Sequence, residues 1–155
     1  ENPDKIIFLG DILYHGPRND LPKDYAPKKV IEMLNPLKEQ IISVRGNCEA
    51  EVDQMVLDFS VLEDYKTFEF GDKKAVLTHG HLESDRLPDM KDFDILLNGH
   101  THIPKCEQKE GYIFMNPGSV SIPKENSAHS YMVFENNEFL WKNLENGEVY
   151  KTKKL

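Results

Sequence analysis

The sequence predicts an α/β layered fold that contains at least one mixed sheet. Two observations support this class. In the front part of the 155-residue chain, continuous apolar runs alternate with segments of helical periodicity, as in parallel strands joined by helices. The rest of the chain is richer in short strands, which are bounded by glycine and asparagine turns. A chain of this length is expected to form one domain, residues 1–155.

The front part contains two predicted buried strands, over residues 5–9 and 41–44. Between them, Pro27 suits the first turn of a helix, and Pro36 is expected to end or kink that helix. The apolar positions at helical spacing are Val30, Ile31, Leu34 and Leu37. After the second strand, a short helix is predicted from Val52, Met55 and Val56.

The strand-rich part begins with a predicted hairpin, in which residues 67–70 and 75–77 flank a turn at Gly71. A further strand is predicted over residues 93–97. The remaining turns and tight loops are predicted at 110–111, 116–119, 136–137 and 146–147. The last two of these separate three alternating strands in the tail.

The composition limits the classes of partner. There are 19 Lys and Arg against 27 Asp and Glu, a net charge of -8, so the chain lacks the electrostatic footprint of a general nucleic-acid binder. A nucleotide substrate is not excluded, because bound metals can reverse the local field. Cys48 and Cys106 lie far apart, which argues against a disulfide framework and favours a cytoplasmic location. No apolar run is long enough to cross a bilayer.

Four predicted strands each end in a polar cluster. Ligands of open α/β sheets bind beyond the carboxyl ends of the strands, so these clusters are expected to converge on one site. The clusters are Gly10-Asp11, Gly46-Asn47-Cys48, His79-Gly80-His81 and Gly99-His100-Thr101-His102.

Side chains of these types can hold a pair of metal ions. Nitrogen and oxygen ligands suit Mn, Fe, Zn or Ni, and one Asp can bridge two ions about 3.5–4 Å apart. Each residue alone has another interpretation. Asp11 could cap a helix, Asn47 could hold a left-handed turn, and His79 and His81 could be hydrogen-bonded loop residues. The four clusters taken together favour metal binding.

The order of the clusters resembles the calcineurin-like metallophosphoesterase superfamily. Within it, the chain looks like the bacterial YfcE-type phosphodiesterases in four segments: Gly-Asp-Ile-Leu-Tyr-His-Gly-Pro-Arg (10–18), Val-Arg-Gly-Asn-Cys (44–48), Leu-Thr-His-Gly-His (77–81) and Asn-Pro-Gly-Ser-Val-Ser-Ile-Pro (116–123). The likeness runs over essentially the whole chain, and Gly-His-Thr-His at 99–102 is its sharpest motif.

This resemblance implies an αββα sandwich of two mixed sheets with a dinuclear site. The two divalent ions would be manganese, with zinc, iron or nickel as alternatives. By position, Asp11 would bridge both ions, and Asn47, His79 and His100 would complete the first. His102 would bind the second.

Four more residues are candidates for roles beside the metals. Cys48 stands where many superfamily members have a His that is thought to protonate the leaving group, so the thiol could supply that proton or merely pack. His81 is the other candidate catalytic residue. Arg18 and His15 lie in the loop after Asp11, where they could bind substrate phosphate or remain at the surface.

The resemblance also predicts a segment that this chain does not contain. The family begins with a strand that ends in Asp-x-His and a following helix, and no Asp-x-His precedes Asp11. We therefore expect the first strand and helix to be missing, so that the domain is N-terminally incomplete and has exposed sheet edges. One ion would keep Asp11 and three further ligands, whereas the other would keep only Asp11 and His102. A complete chain should be active, and this one poorly folded or feebly active.

The implied function is a metal-dependent phosphodiesterase, in which a hydroxide bridging the two ions attacks phosphorus in line. The expected partner is a small phosphodiester, not a nucleic-acid polymer or a membrane. The apolar run at 131–134 could pair with another subunit in a homo-oligomer, or lie in the core. Two alternatives stay open. One is a phosphomonoesterase, which shares the dinuclear chemistry, and the other is a non-catalytic protein-interaction scaffold on the same fold.

Overall fold

The structure, a computed structural model, describes residues 1–155 and confirms the α/β class. The helix α1 (Pro27–Leu34) begins at Pro27 as predicted, whereas α2 (Glu51–Gln54) includes Val52 but ends before Met55 and Val56. Short 3-10 helices cover Asn35–Gln40, Ser84–Arg86 and Met90–Asp92. The strands are β1 (Ile6–Phe8), β2 (Ile41–Ser43), β3 (Tyr65–Phe70), β4 (Lys73–Thr78), β5 (Ile95–Asn98), β6 (Lys105–Gln108), β7 (Ile113–Asn116), β8 (Ser130–Glu135), β9 (Glu138–Asn143) and β10 (Val149–Lys154).

Hydrogen bonding divides the strands into three sheets. β1 and β2 form a parallel pair, which is the arrangement expected of two strands joined by a helical crossover. A five-stranded sheet has the order β3-β4-β5-β7-β6, and a three-stranded sheet has the order β10-β9-β8. Only the five-stranded sheet mixes parallel and antiparallel neighbours. The sequence analysis expected two mixed sheets, and one of the three hydrogen-bonded sheets is mixed.

The main core lies between the five-stranded and three-stranded sheets. Fully buried side chains from both meet there, including Leu77, Ile95 and Trp141. Burial of one such side chain stabilises the fold by about 1.5–3 kcal/mol. The indole Nε1 of Trp141 donates to the carbonyl oxygen of Asn116 at 2.8 Å, so the sheets are also joined by a buried hydrogen bond.

A second, smaller core supports the loop that follows β1. Helix α1 begins at Pro27, gives way to a 3-10 helix at Asn35, and packs its apolar side on this core. The loop contributes Leu13, which is 7% exposed. The other buried members are Leu57, Phe59 and Val61. This packing holds in place the chain that carries Asp11.

The apolar run at 131–134 lies in β8, which is an edge strand that pairs only with β9. Met132 and Phe134 pack against the main core, so these side chains serve the interior of the chain. No helix combines the length and the apolar character needed to span a membrane.

Candidate metal centre

Parallel pairing brings the four predicted clusters to one edge of the fold. β1 runs parallel to β2, and β4 runs parallel to β5, so within each pair the polar clusters follow the same ends of the strands. Two hydrogen bonds join the loops. Nδ1 of His79 contacts the carbonyl oxygen of Leu9 at 2.5 Å, and the Gly99 N–H donates to the carbonyl oxygen of His79 at 3.1 Å.

Four of the five predicted ligands are in mutual contact. Nε2 of His79 lies 3.3 Å from Oδ2 of Asp11 and 3.1 Å from Oδ1 of Asn47. Nδ1 of His100 lies 2.9 Å from the same Asn47 oxygen and 3.2 Å from Nε2 of His79. The amide oxygen of Asn47 therefore contacts both imidazoles.

These separations match the spacing of donor atoms around one cation. Ligand atoms about 2.1 Å from a common ion are about 3.0 Å apart in octahedral geometry and about 3.4 Å apart in tetrahedral geometry. The His, Cys, Asp and Glu side chains alone form no metal-spaced group of three. The fit therefore depends on Asn47, whose oxygen adds the donor that connects the two histidines.

The tautomer of His79 also points to a cation. Its Nδ1 faces the carbonyl oxygen of Leu9, which only an N–H can satisfy, so in the neutral ring Nε2 carries the lone pair. Nε2 then faces Asp11 Oδ2 and Asn47 Oδ1, which are both acceptors. Converging lone pairs of this kind need a proton or a metal ion between them.

The charges of His79 and Asp11 show how a proton can satisfy the cluster. Burial acts to lower the pKa of His79, but the hydrogen bond and negative charge of Asp11 raise that pKa above its ordinary value. Burial acts to raise the pKa of Asp11, and the hydrogen bond with His79 lowers it below its ordinary value. A metal ion would replace the shared proton, so binding should release protons.

Three of the five predicted ligands have a left-handed backbone. The φ angles are 57° at Asp11, 61° at His100 and 62° at His102. This conformation costs roughly 1–2 kcal/mol for a residue with a Cβ atom, and such strain concentrates at functional sites. The sharp turn expected after Gly99 is therefore made by His100 and His102 themselves.

His102 lies outside the four-residue cluster. Its Nδ1 lies 2.7 Å from the carbonyl oxygen of Ile122, so Nε2 is the nitrogen left for a ligand. The hydroxyl oxygen of Ser119 accepts from the Ile122 N–H at 3.0 Å. Asn116 donates to the carbonyl oxygen of Gly99 at 2.6 Å. The Asn-Pro-Gly-Ser loop thus supports the segment that carries His102.

Glu49 supports the loops of two predicted ligands, although the sequence analysis did not single it out. Its side chain is buried, with 5% exposed, and its carboxylate accepts three backbone hydrogen bonds. The N–H of Asp11 lies at 2.8 Å, that of Ile12 at 2.7 Å and that of Gly46 at 2.5 Å. Burial raises the pKa of Glu49 although these donors oppose it, so the carboxylate is costly to bury. These hydrogen bonds to the carboxylate fix the position of Asp11 beside Asn47.

Cys48 and His81 both lie beside the cluster. The Cys48 N–H donates to Oδ1 of Asp11 at 2.9 Å, and the ring of His81 is centred 5.2 Å from that of His79. Burial, with the charge of Asp11, raises the pKa of the Cys48 thiol to about 12. Burial also lowers the pKa of His81, and its buried Nδ1 has no hydrogen-bond partner.

The two predicted substrate-binding residues are placed differently. His15 packs edge-on against Tyr14 and Tyr25, with ring centroids 4.7 Å and 5.2 Å away, and its buried Nδ1 has no partner. It makes no hydrogen bond to the cluster. Arg18 lines a pocket of about 500 Å³ together with His100. Arg18 thus opens onto a cavity that the predicted ligand His100 also lines.

The raised pKa of Cys48 gives a testable reactivity. In the metal-free Cys106→Ser variant, we expect iodoacetamide to alkylate Cys48 about 50-fold more slowly at about pH 8 than a free cysteine peptide. The thiolate fraction falls about 10³-fold, and the greater nucleophilicity of a high-pKa thiolate recovers part of that loss. Mass spectrometry over time measures the rate, and urea should restore ordinary reactivity. Alkylation of the folded protein at the peptide's rate would contradict the assignment.

The chain has clear relatives. The family model described as the calcineurin-like phosphoesterase superfamily domain matches residues 1–138. Phosphodiesterase YfcE of Escherichia coli strain K12 is 46% identical over 132 residues, which are 84% of this chain and 72% of that protein. A phosphodiesterase of Methanocaldococcus jannaschii is 27% identical over 126 residues, or 76% of this chain and 68% of its own length. The solved structure of Yfce, a phosphoesterase from E. coli, superposes with a TM-score of 0.89 at 41% identity, and the match covers 97% of this chain and 83% of that one.

Proposed function

We propose that this chain, which belongs to the calcineurin-like phosphoesterase superfamily and is a phosphoesterase, hydrolyses phosphodiesters with the help of two divalent metal ions. The main support is the contact between ligand atoms of Asp11, Asn47, His79 and His100, which come from four separate loops. The curated relative named as a phosphodiesterase supports the choice of diesters.

In this proposal, Asp11 would be shared by the two ions. Asn47, His79 and His100 would hold the first ion together with Asp11, and Nε2 of His102 would hold the second. Manganese is the metal we propose, with zinc, iron or nickel as alternatives for the same nitrogen and oxygen donors. When bound, such ions would supply a water of lowered pKa as the nucleophile and positive charge that stabilises the phosphate oxygens of the transition state.

The protein residues orient the reactants and move a proton. In the metal-free protein the raised pKa leaves the Cys48 thiol protonated at neutral pH, and this thiol or a water is proposed to give a proton to the leaving alkoxide. His81 holds an unpartnered Nδ1 beside the ligands and is proposed to bind the substrate phosphate. Arg18 is proposed to bind the same phosphate or a part of the substrate next to it. His15 is proposed for the same role, although its ring packs on two tyrosines.

The proposed substrate is a small molecule, and the proposed location is the cytoplasm. The net charge of -8 disfavours a nucleic-acid polymer, and Cys48 and Cys106 are both free thiols. A phosphomonoesterase shares the dinuclear chemistry and is the alternative that kinetics must separate. A scaffold without catalysis would not need the ligand contacts of His79 and His100.

The experiment compares the rates at which the protein, expressed from its own gene and purified, hydrolyses two chromogenic substrates. With Mn²⁺, we expect bis(p-nitrophenyl) phosphate to be hydrolysed with a kcat/KM at least about tenfold above that of p-nitrophenyl phosphate, because the diester and monoester differ in charge at the site. EDTA should abolish turnover, and Mn²⁺ should restore it. Faster monoester cleavage would favour the phosphomonoesterase, and no activity with any divalent metal would favour the scaffold.

A further inference from the structure

The pocket lined by Arg18 is positively charged, although the chain as a whole is acidic. Its lining contains two cations, an amide, a hydroxyl and an imidazole, but no carboxylate and no hydrophobic residue. The protein as a whole carries 27 acidic against 19 basic residues. The lining residues are Arg18, Asn19, His100, Thr101 and Lys124.

Hydrogen bonds hold in place the two loop segments that carry the cations of this pocket. The Lys124 N–H donates to the carbonyl oxygen of His102 at 3.3 Å, and its carbonyl oxygen accepts from the Ser127 hydroxyl at 2.7 Å. The turn that carries Arg18 is closed by the Asn19 amide, which donates to the carbonyl oxygen of His15 at 2.6 Å. Neither cation forms an ion pair, unlike Arg86, which pairs with Asp64 at 2.5 Å. Both charges are therefore free for a ligand.

The pocket adjoins the candidate metal centre. His100 belongs to both, because its Nδ1 contacts the Asn47 oxygen and its side chain lines the pocket. The backbone N–H of Lys124 also donates to the carbonyl oxygen of His102, so the pocket borders the segments of two predicted ligands.

The scissile phosphate does not account for this pocket. A phosphodiester carries one negative charge at the reacting phosphorus, and two divalent ions already neutralise it. Two further cations with hydrogen-bond donors between them match a second anionic group.

We propose that the pocket of Arg18, Asn19, Thr101 and Lys124 binds a second anionic group, a phosphate or a carboxylate, on one alcohol arm of the substrate. This proposal rests on the proposed function and refines its substrate class to phosphodiesters that carry additional negative charge. The Thr101 hydroxyl accepts from Asn116 at 3.2 Å, which leaves its own proton to donate to the anion. The guanidinium of Arg18 and the ammonium of Lys124 supply the charge.

The test uses p-nitrophenyl phosphodiesters that differ only in the second arm, with the Mn²⁺-loaded protein from its own gene. The arms are ethyl, choline, carboxyethyl and phosphoethyl, so charge varies at constant leaving group. We expect kcat/KM for the two anionic arms to exceed that for ethyl at least about tenfold, and choline to fall below ethyl. Comparison of kcat/KM for the carboxyethyl and phosphoethyl arms shows whether the pocket prefers a carboxylate or a phosphate.

Variants then locate the preference. In Lys124→Gln, the ratio of kcat/KM for the anionic arms over ethyl should fall to within about threefold of unity. Lys154→Gln, which removes the same charge from an exposed position in β10, should keep the wild-type ratio. Because each ratio is taken within one protein sample, a loss of folded protein cancels.

Three outcomes would overturn the proposal. The first is hydrolysis of the ethyl diester with equal kcat/KM for the anionic arms, which leaves the proposed function intact. The second is an anion preference that survives both Lys124→Gln and Arg18→Gln, which places its origin elsewhere. The third is failure to hydrolyse any diester with any divalent metal, which contradicts the proposed function itself and this proposal with it.

Discussion

Replacement of His79 by Ala should lower kcat/KM for bis(p-nitrophenyl) phosphate by about 10³-fold or more. Its Nε2 contacts both the Asp11 carboxylate and the Asn47 amide oxygen, so its loss removes one of four donors and weakens the positions of two others. Metal ions in such sites supply several kcal/mol of transition-state stabilisation, and each 1.36 kcal/mol is about tenfold in rate. The bound Mn²⁺, measured by elemental analysis, should fall in parallel with the activity.

Two controls separate ligation from folding. His79 is 2% exposed, and its loss also removes the hydrogen bond to Leu9. His100 is more exposed, so His100→Ala should lose metal and activity with a smaller change in the free energy of unfolding. His129→Ala removes an imidazole that lies outside the cluster and contacts the carbonyl oxygen of Val120. This variant should retain both the bound metal and the activity. Wild-type metal content in His79→Ala and His100→Ala would contradict the ligand assignment.

The fold and four mutual contacts at the site could be predicted because their signals are local. Continuous apolar runs predict β1 and β2, which occur within the predicted ranges, although their side chains are half-buried except for the buried Ser43. A polar residue placed directly after a parallel strand has little freedom in where it can lie. Asp11 and His79 are near each other for that reason, although 68 positions separate them in the numbering.

Glu49 could not be recognised from the sequence, because its partners are backbone N–H groups. The donors of Asp11 and Ile12 lie 38 and 37 residues away, and every residue type except proline has such a donor. A Glu that follows closely on a predicted ligand is a weak signal, and exposure at the surface is the usual state of this residue type. Only the three-dimensional contacts reveal the carboxylate as a support for Asp11.

Lys124 escaped the sequence analysis for a related reason. Its position at the pocket depends on how the segment after Ser119 folds back onto His102. The Lys124 N–H donates to the carbonyl oxygen of His102, and Nδ1 of His102 contacts the carbonyl oxygen of Ile122. Loop closure of this kind has no periodic pattern in the sequence. The pocket arises where that segment meets the loop of Arg18.

The second large effect is expected from Gly46→Ala, which should weaken Mn²⁺ binding by at least about tenfold. A Cβ atom on Gly46 would lie 2.1 Å from Oδ1 of Asp11, 2.5 Å from the Asp11 nitrogen and 2.6 Å from Oε2 of Glu49. A side-chain oxygen can move, but the backbone nitrogen of Asp11 cannot move without displacing the carboxylate of that residue. Overpacking of this kind typically costs about 1–3 kcal/mol of stability. Displaced ligands lose metal affinity in addition.

The matched control is Gly111→Ala, which separates lost stability from a lost site. Gly111 has a φ of +89° and open space around it, so Ala there strains the backbone without touching any neighbour. Both variants should therefore unfold at lower urea concentration, the control by about 1 kcal/mol. Only Gly46→Ala should show weaker Mn²⁺ binding in calorimetry, because only its Cβ reaches the Asp11 loop. Equal Mn²⁺ affinity in the two variants would mean that the metals do not depend on the close approach of Asp11 to Gly46.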